Sequence, residues 1–254
     1  MNRKIIDIHA HILPGVDDGA RTMEEACLLL EQAIDQGAIA VVATPHGGGR
    51  SGPKPYELQR LAGQVQQEMS RRHPKFRIFL GQELYYHEGL LEQLAAGEAL
   101  TMAGSRYVLV EFDPSVPYSL LYRGLRSLYA AAYQPILAHV ERYQCLRREE
   151  NLLEVLAGGC LLQMNYGGLA GSRWNSETRW RRNQVLAGRV HFLGTDMHRE
   201  DFRPPRMEGA LDWMDRHVEW KEQKRMTGGN AYQMLVDAKN RRDTNGVHAK
   251  YTKG

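Results

Sequence analysis

Long apolar runs, charge of one sign and cysteine are what this 254-residue chain has least of. No stretch approaches the roughly 18 consecutive apolar residues of a membrane span. Asn2-Arg3-Lys4 leads straight into a strand without a long apolar region, so neither membrane insertion nor export is expected. Lys and Arg number 33 against 30 Asp and Glu, a balance too even to make nucleic acid the main partner. The three cysteines, Cys27, Cys145 and Cys160, are odd in number, widely spaced and set in apolar or helical contexts. They have no zinc-ribbon spacing and read as buried thiols of a reducing compartment, which makes a soluble cytoplasmic protein the expectation. No Gly-x-Gly-x-x-Gly or Walker-type loop follows a strand, which removes the best support for a nucleotide-binding sheet. Low-complexity tracts and short repeats are missing too.

What is there is an alternation. Apolar, β-rich runs recur at IIDIH (5–9), AIAVVAT (38–44), FRIFLGQE (76–83), RYVLVEF (106–112), PILAHV (135–140), CLLQMN (160–165) and VHFLGTD (190–196). Helical segments separate them. Thr22-Met23-Glu24-Glu25 matches a capping box, and the segment after it carries apolar residues at 3–4 spacing until Gly37. Strand and helix taking turns imply parallel strands with helical crossovers, as an open doubly wound sheet or a barrel; an α/β barrel of seven βα units is expected. After Asp196, Arg203-Pro204-Pro205 breaks the chain before amphipathic helices near 208–225 and 230–241. One domain over 1–240 suffices, and 241–254 reads as a polar, basic, flexible tail.

In a βα barrel the reactive residues sit at the C-terminal strand ends and in the loops that follow. The first end reads DIHAHILPGVDDG: residues two apart in an extended strand share a face, so His9 and His11 present both imidazoles together, with Asp17 and Asp18 in the loop. A solvated surface strand would carry His-x-His as well, so the remaining ends decide. They bring His46, Glu83, Glu111, His139 and a second i, i+2 pair, Asp196 and His198; only the sixth, at Asn165, lacks a strong ligand. Glu83, Glu111 and His139 each follow several apolar residues, where an ionisable group is costly to bury without a partner. An arginine pair for Glu111 or a hydrogen-bonded core histidine for His139 would serve singly; a bound cation serves both.

Imidazoles and carboxylates without thiolate suit manganese, iron or zinc. The candidates exceed what one ion needs, so two or three bridged ions are the natural arrangement, able to activate a water and clamp the oxygens of a phosphate ester. Three divalent cations against Asp18, Glu83, Glu111 and Asp196 would leave about +2 to draw a phosphate dianion. Arg142 and Arg203 follow ligand-bearing ends closely enough to fork onto phosphate oxygens. Tyr85, Tyr86 and Phe112 either face an aromatic leaving group or cap the core.

This pattern, with "ATPH", "GQELYY", "VLVEF", "PILAHVERY" and "GTDMH…RPP", resembles the PHP (polymerase and histidinol phosphatase) superfamily. It is most similar to the bacterial PHP-type protein-tyrosine phosphatases encoded with capsule and exopolysaccharide genes. The resemblance implies a distorted seven-stranded, TIM-like (β/α)7 barrel of the PHP fold and hydrolysis of protein phosphotyrosine, on the tyrosine-rich tail of a bacterial tyrosine kinase. It also implies a cluster of metals, commonly manganese, with iron, cobalt or zinc as alternatives. The metal ligands it carries over are His9, His11, Asp18, His46, Glu83, Glu111, His139, Asp196 and His198. Arg142 and Arg203 match phosphate-binding positions, and with His46 they form the expected catalytic set. No phosphocysteine intermediate is implied, and the residues six after each cysteine are Ala33, Asn151 and Tyr166, not arginine. After His46 the chain reads GGGRSGPKP where such relatives are expected to be more basic or aromatic, so substrate choice is where it departs. The other readings to be tested are a phosphatase of small phosphomonoesters such as histidinol phosphate, and a non-catalytic metal-binding regulator.

Overall fold

A computed structural model describes residues 3–49 and 52–251, with side chains to 241 and at 243. The apolar runs become strands β1 (Ile5–Ala10), β2 (Ala38–Ala43), β3 (His46–Gly47), β4 (Arg77–Leu80), β5 (Glu83–Tyr85), β6 (Tyr107–Glu111), β7 (Gln134–Leu137), β8 (Leu161–Asn165) and β9 (Phe192–Gly194). Every pairing between them is parallel. The orders are β1-β2-β4 and β3-β5-β6-β7-β8-β9. These are two stretches of one sheet. Ala43 pairs with Leu80 and His46 with Glu83, so β2 and β3 continue one line while β4 and β5 continue its neighbour. Pro45, which has no N–H to give, interrupts the first line, and Gly81-Gln82 interrupts the second. The backbone stays tied across the break, Gly81 N–H donating to Ala43 O at 2.8 Å and Glu83 N–H to Pro45 O at 3.2 Å.

The far edge curls back to the start. Ala10 bridges Met197, Asp196 N–H donates to His9 O and His11 N–H to Met197 O, both at 2.8 Å. The expected seven strand positions are therefore present in a distorted α/β barrel, with the run at 76–83 split into β4 and β5.

Helices α1 (Met23–Asp35), α2 (Pro55–Arg72), α3 (Leu90–Ala96), α4 (Tyr118–Ala130), α5 (Glu149–Ala157) and α6 (Ser176–Leu186) fill the crossovers. Thr22 caps α1 by accepting from Glu25 N–H at 3.2 Å. Half of the expected box is missing, because the Glu25 carboxylate turns to the N–H and guanidinium of Arg21. The larger core cluster lies between helices and sheet. A smaller one sets Ile6, Ile8, Val42, Ile136 and Phe192 against Ala231 and Met234 of the last helix, leaving the opposite end, the strand C-termini, for chemistry.

The helix expected over 208–225 divides into α7 (Glu208–His217) and α8 (Trp220–Lys224), the Gln223 amide donating to the carbonyls of Met214 and Val218. A π-helical turn, Arg225–Gly229, then joins α8 to α9 (Asn230–Tyr251). The backbone of α9 runs helically through most of the segment expected as a tail, since poor apolar content argues against burial and not against helix; 252–254 lie outside the described residues. No described helix is long and apolar enough to cross a membrane.

His191, entering β9, accepts from Leu162 N–H through Nδ1 at 3.2 Å. Burial, helped by Arg225, pushes its pKa down to about 4. The unfolded chain then binds a proton that the fold refuses, so this contribution to stability is whole above pH 6.5 and fades as pH falls toward 4. It amounts to about 2 kcal/mol after allowance for partial exposure. Urea midpoints at pH 7 and pH 5 should converge in His191→Gln relative to wild type; an unchanged difference would refute this.

Candidate metal centre

Nine side chains from six strand positions and the loops after them meet at the C-terminal rim. A glycine makes the first loop possible: a Cβ on Gly19 would lie 2.1 Å from His11 O, so only glycine lets the Asp17-Asp18 turn fold back over β1. A Cβ on Gly194 would likewise sit 2.9 Å from His9 Cβ, which is how β9 approaches β1. His139, Asp196 and Arg203 hold left-handed φ values of 34°, 53° and 60°, three of the five non-glycine residues so found among those described. Such backbone persists only where the surroundings enforce it.

Glu83 is the centre, buried and set among four imidazoles. Its Oε1 lies 2.8 Å from His139 Nε2 and 3.2 Å from His9 Nε2, its Oε2 3.2 Å from both His11 Nε2 and His46 Nδ1. Glu111 shares His139 at 3.3 Å and His46 at 3.5 Å. Asp196 Oδ1 faces His9, His11 and His198 at 3.5–3.6 Å. Asp18 faces His46 at 3.4 Å and His198 at 3.5 Å. Three overlapping groups have donor atoms all within 4.8 Å of one another: His11/Asp18/His46/His198, His9/His11/Asp196 and His46/Glu83/Glu111. All nine expected ligands are thus brought together.

Ring orientation fits cations. His11 Nδ1 donates to Asp17 Oδ2 at 2.8 Å, a carboxylate that burial would raise but that His11 and the N–H groups of His46 and Gly19 hold down to about 2. His9 Nδ1 donates to Gln163 Oε1 at 3.1 Å; that oxygen also accepts His139 N–H at 2.7 Å, so it cannot be the amide nitrogen. In the neutral rings a metal ligand requires, with both Nδ1 atoms carrying protons, two Nε2 lone pairs confront each other at 3.3 Å. A cation between them removes that repulsion, and each Nδ1 bond fixes the tautomer a metal ligand needs. Asp17 is therefore a support for His11 and not one of the nine.

The charges agree. Burial would drive the His9 pKa down, yet Glu83 and Asp196 carry it up to about 9, and Glu111 and Glu83 lift His46 to about 11 against the same opposition. Burial would raise Asp196, but His9, His11 and Arg142 hold it at about 2. Of the five histidines in the cluster only His198 is lowered, to about 4, by burial and the neighbouring His11. The acids stay ionised in a buried site, and positive charge is what the site demands.

Arg142 and Arg203 both donate to Asp196 Oδ2, at 2.6 and 2.8 Å, leaving Oδ1 to the histidines. Tyr85 is half exposed beside the site, whereas Tyr86 and Phe112 stack on one another at 4.7 Å with Phe112 buried, so these two cap the core. Clefts flank the cluster. One, of about 480 Å3, is lined by Gly47–Gly49, Lys54, Tyr85 and Glu98. The other, of about 530 Å3, lies beside Arg142 and Arg203.

The sixth strand, which offers no ligand, supplies supports that the sequence reading missed. Gln163 Nε2 donates to Asn165 Oδ1 and Asn165 Nδ2 donates to Asp196 Oδ2, both at 2.8 Å, so one amide chain links His9, His139 and Asp196. Asp7 closes the seam, accepting from the N–H groups of His9 and Thr195 and from the Thr195 hydroxyl. Amides have no spacing signature, and Asp7 sits inside an apolar run. Gln163→Leu should weaken manganese binding about 10- to 100-fold in a calorimetric titration, with little change in melting temperature; unchanged affinity would show that the bond is incidental.

Residues 5–236 match the CpsB/CapC family, described as capsular polysaccharide synthesis. The chain is 31% identical to the tyrosine-protein phosphatase CpsB of Streptococcus pneumoniae over 242 residues, 92% of this chain and 99% of that protein. Among solved structures it matches one reported with YwqE of Bacillus subtilis and CpsB of S. pneumoniae as metal-dependent tyrosine phosphatases, at TM-score 0.83 and 26% identity, covering 92% of this chain and 95% of the other. A phosphotriesterase homology protein from Escherichia coli shares the fold alone, at TM-score 0.59 and 13% identity, over 92% and 99% of the two chains.

Proposed function

The chain belongs to the CpsB/CapC family, and from that membership and the converging ligand set we propose that it is a metal-dependent protein-tyrosine phosphatase. Its substrate is phosphotyrosine on a bacterial tyrosine kinase that controls capsule or exopolysaccharide synthesis, and it works in the cytoplasm. His9, His11, Asp18, His46, Glu83, Glu111, His139, Asp196 and His198 are its ligands, for two or three ions, with manganese the preferred metal. The observation that carries the reading is Glu83, a buried carboxylate in contact with four imidazoles from three separate strand ends. When bound, such ions supply an activated water and Lewis-acid stabilisation of phosphate oxygens.

The rest falls to the protein. Arg142 and Arg203, already aimed at the cluster through Asp196, hold the phosphate and neutralise charge gathering on its oxygens. His46 stands at the open side of the site, about two-fifths exposed, where an incoming ester meets it first. No thiol takes part, because Cys27 and Cys160 are buried and Cys145 half-buried. The clefts on either side accommodate flanking peptide, which favours a protein substrate over a small ester.

The test is kcat/KM of the manganese-loaded enzyme on a phosphotyrosine peptide against histidinol phosphate. A strong preference for histidinol phosphate would overturn the substrate assignment. Activity no greater than that of His139→Ala on any phosphomonoester would overturn the enzyme assignment in favour of a metal-binding regulator.

A further inference from the structure

The two clefts differ in charge. The first offers Lys54 against Glu98 and Glu111. The second offers Arg142, Arg181, Arg203 and Arg206 against Glu141 and Asp201. Asp201 is already paired outside the cleft, with Arg199 Nε at 3.3 Å and Arg21 at 3.5 Å. Glu141 is buried, with Oε1 accepting from Asn165 N–H. Arg142 and Arg203 are committed to Asp196, but Arg181 and Arg206 have no hydrogen-bond or ion-pair partner among the described residues.

Arg181 is held in place for some purpose. It comes from α6, and its Nε is buried with no acceptor. Its stem lies so close over Gly168 that a Cβ there would meet Arg181 Cδ at 2.6 Å and Nε at 2.9 Å. A guanidinium whose Nε is buried without an acceptor, beside Glu141 as a charged neighbour to which it makes no hydrogen bond, keeps donors free for an anion. Arg206 reaches the same cleft from beyond Pro204-Pro205. Because Arg142 and Arg203 belong both to this cleft and to Asp196, the cleft opens directly off the metal cluster.

Resting on the phosphatase reading, we propose that this cleft is a second anion site, in which Arg181 and Arg206 bind a carboxylate or a second phosphate carried by the same peptide, near the phosphotyrosine being hydrolysed. The enzyme accordingly favours substrates whose phosphotyrosine has an acidic or phosphorylated neighbour, and draws that neighbour to the arginine side and not toward Glu98.

The test uses the manganese-loaded full chain and three sets of phosphotyrosine peptides. They carry alanine, aspartate or a second phosphotyrosine at positions one to three residues to either side. The wild type should show kcat/KM about tenfold higher for the best-placed anion than for alanine, mainly through KM, with the advantage shrinking as salt is raised. In Arg181→Gln/Arg206→Gln that ratio should fall to near one. Whether aspartate or only phosphotyrosine gives the advantage distinguishes the two sources of the anion. Binding of the same peptides with a non-hydrolysable difluoromethylphosphonate in place of the scissile phosphate is measured in parallel. Hydrolysis with no preference, or a preference that survives in the double variant, overturns the proposal and leaves the phosphatase reading intact. Arginine-dependent binding without hydrolysis would overturn the phosphatase reading and keep the site.

Discussion

Glu83→Gln is expected to lower kcat/KM on a phosphotyrosine peptide by on the order of a thousandfold or more. Each Glu83 oxygen faces two imidazole nitrogens. An amide of the same shape loses the charge and turns an N–H2 donor toward two of those rings, so the site loses cation affinity along with its central acceptor. If Arg142 holds phosphate as proposed, Arg142→Ala removes one contact to it and leaves the other ligands in place, and should cost only about 10- to 100-fold. Metal content and melting temperature measured on both variants separate lost chemistry from lost fold. Activity of Glu83→Gln within tenfold of wild type, at normal manganese content, would remove Glu83 from the centre.

Chelation should have an effect of similar size. Dialysis against a chelator should bring activity below about 1% of its starting value, manganese should restore it, and the melting temperature should rise on loading because the ions bind only the folded state. Thiol alkylation should change nothing: Cys27 and Cys160 are buried, and burial pushes the Cys160 thiol up to about 12, where it carries no nucleophilic thiolate. Chelator resistance combined with sensitivity to alkylation would contradict the whole assignment.

The rim was readable in advance because its residues break a rule in a regular way. An acid or imidazole at the end of an apolar run is expensive unless paired, and six strand ends did this in turn. The splitting of 76–83 was harder to foresee, since Gly81-Gln82 interrupts a strand line without changing its hydrophobic pattern. Pro45 was visible, but that His46 resumes the same line beyond it depends on pairing with β5, a contact between distant segments. Gln163 and Asn165 look like any polar residues of a half-buried strand, and only the atoms their amides reach give them a role. The Glu25 carboxylate left its expected box because Arg21, one residue before the cap, offers a charged partner.

The seam between the first and last strands sets the order of assembly. His9 and His11 lie on one side of it and Asp196 and His198 on the other, and Asp7 bonds Thr195 across 188 residues of chain. Contacts of that span are slow to form, because the loop they close is long. A nascent or truncated polypeptide ending before β9 lacks two of the nine candidate ligands, Asp196 and His198, so the full site waits for completion of the ring. Once there, an ion gripped from both sides acts as a cross-link between the two extremities of the fold, and demetallation is therefore also the unlatching of its slowest contact.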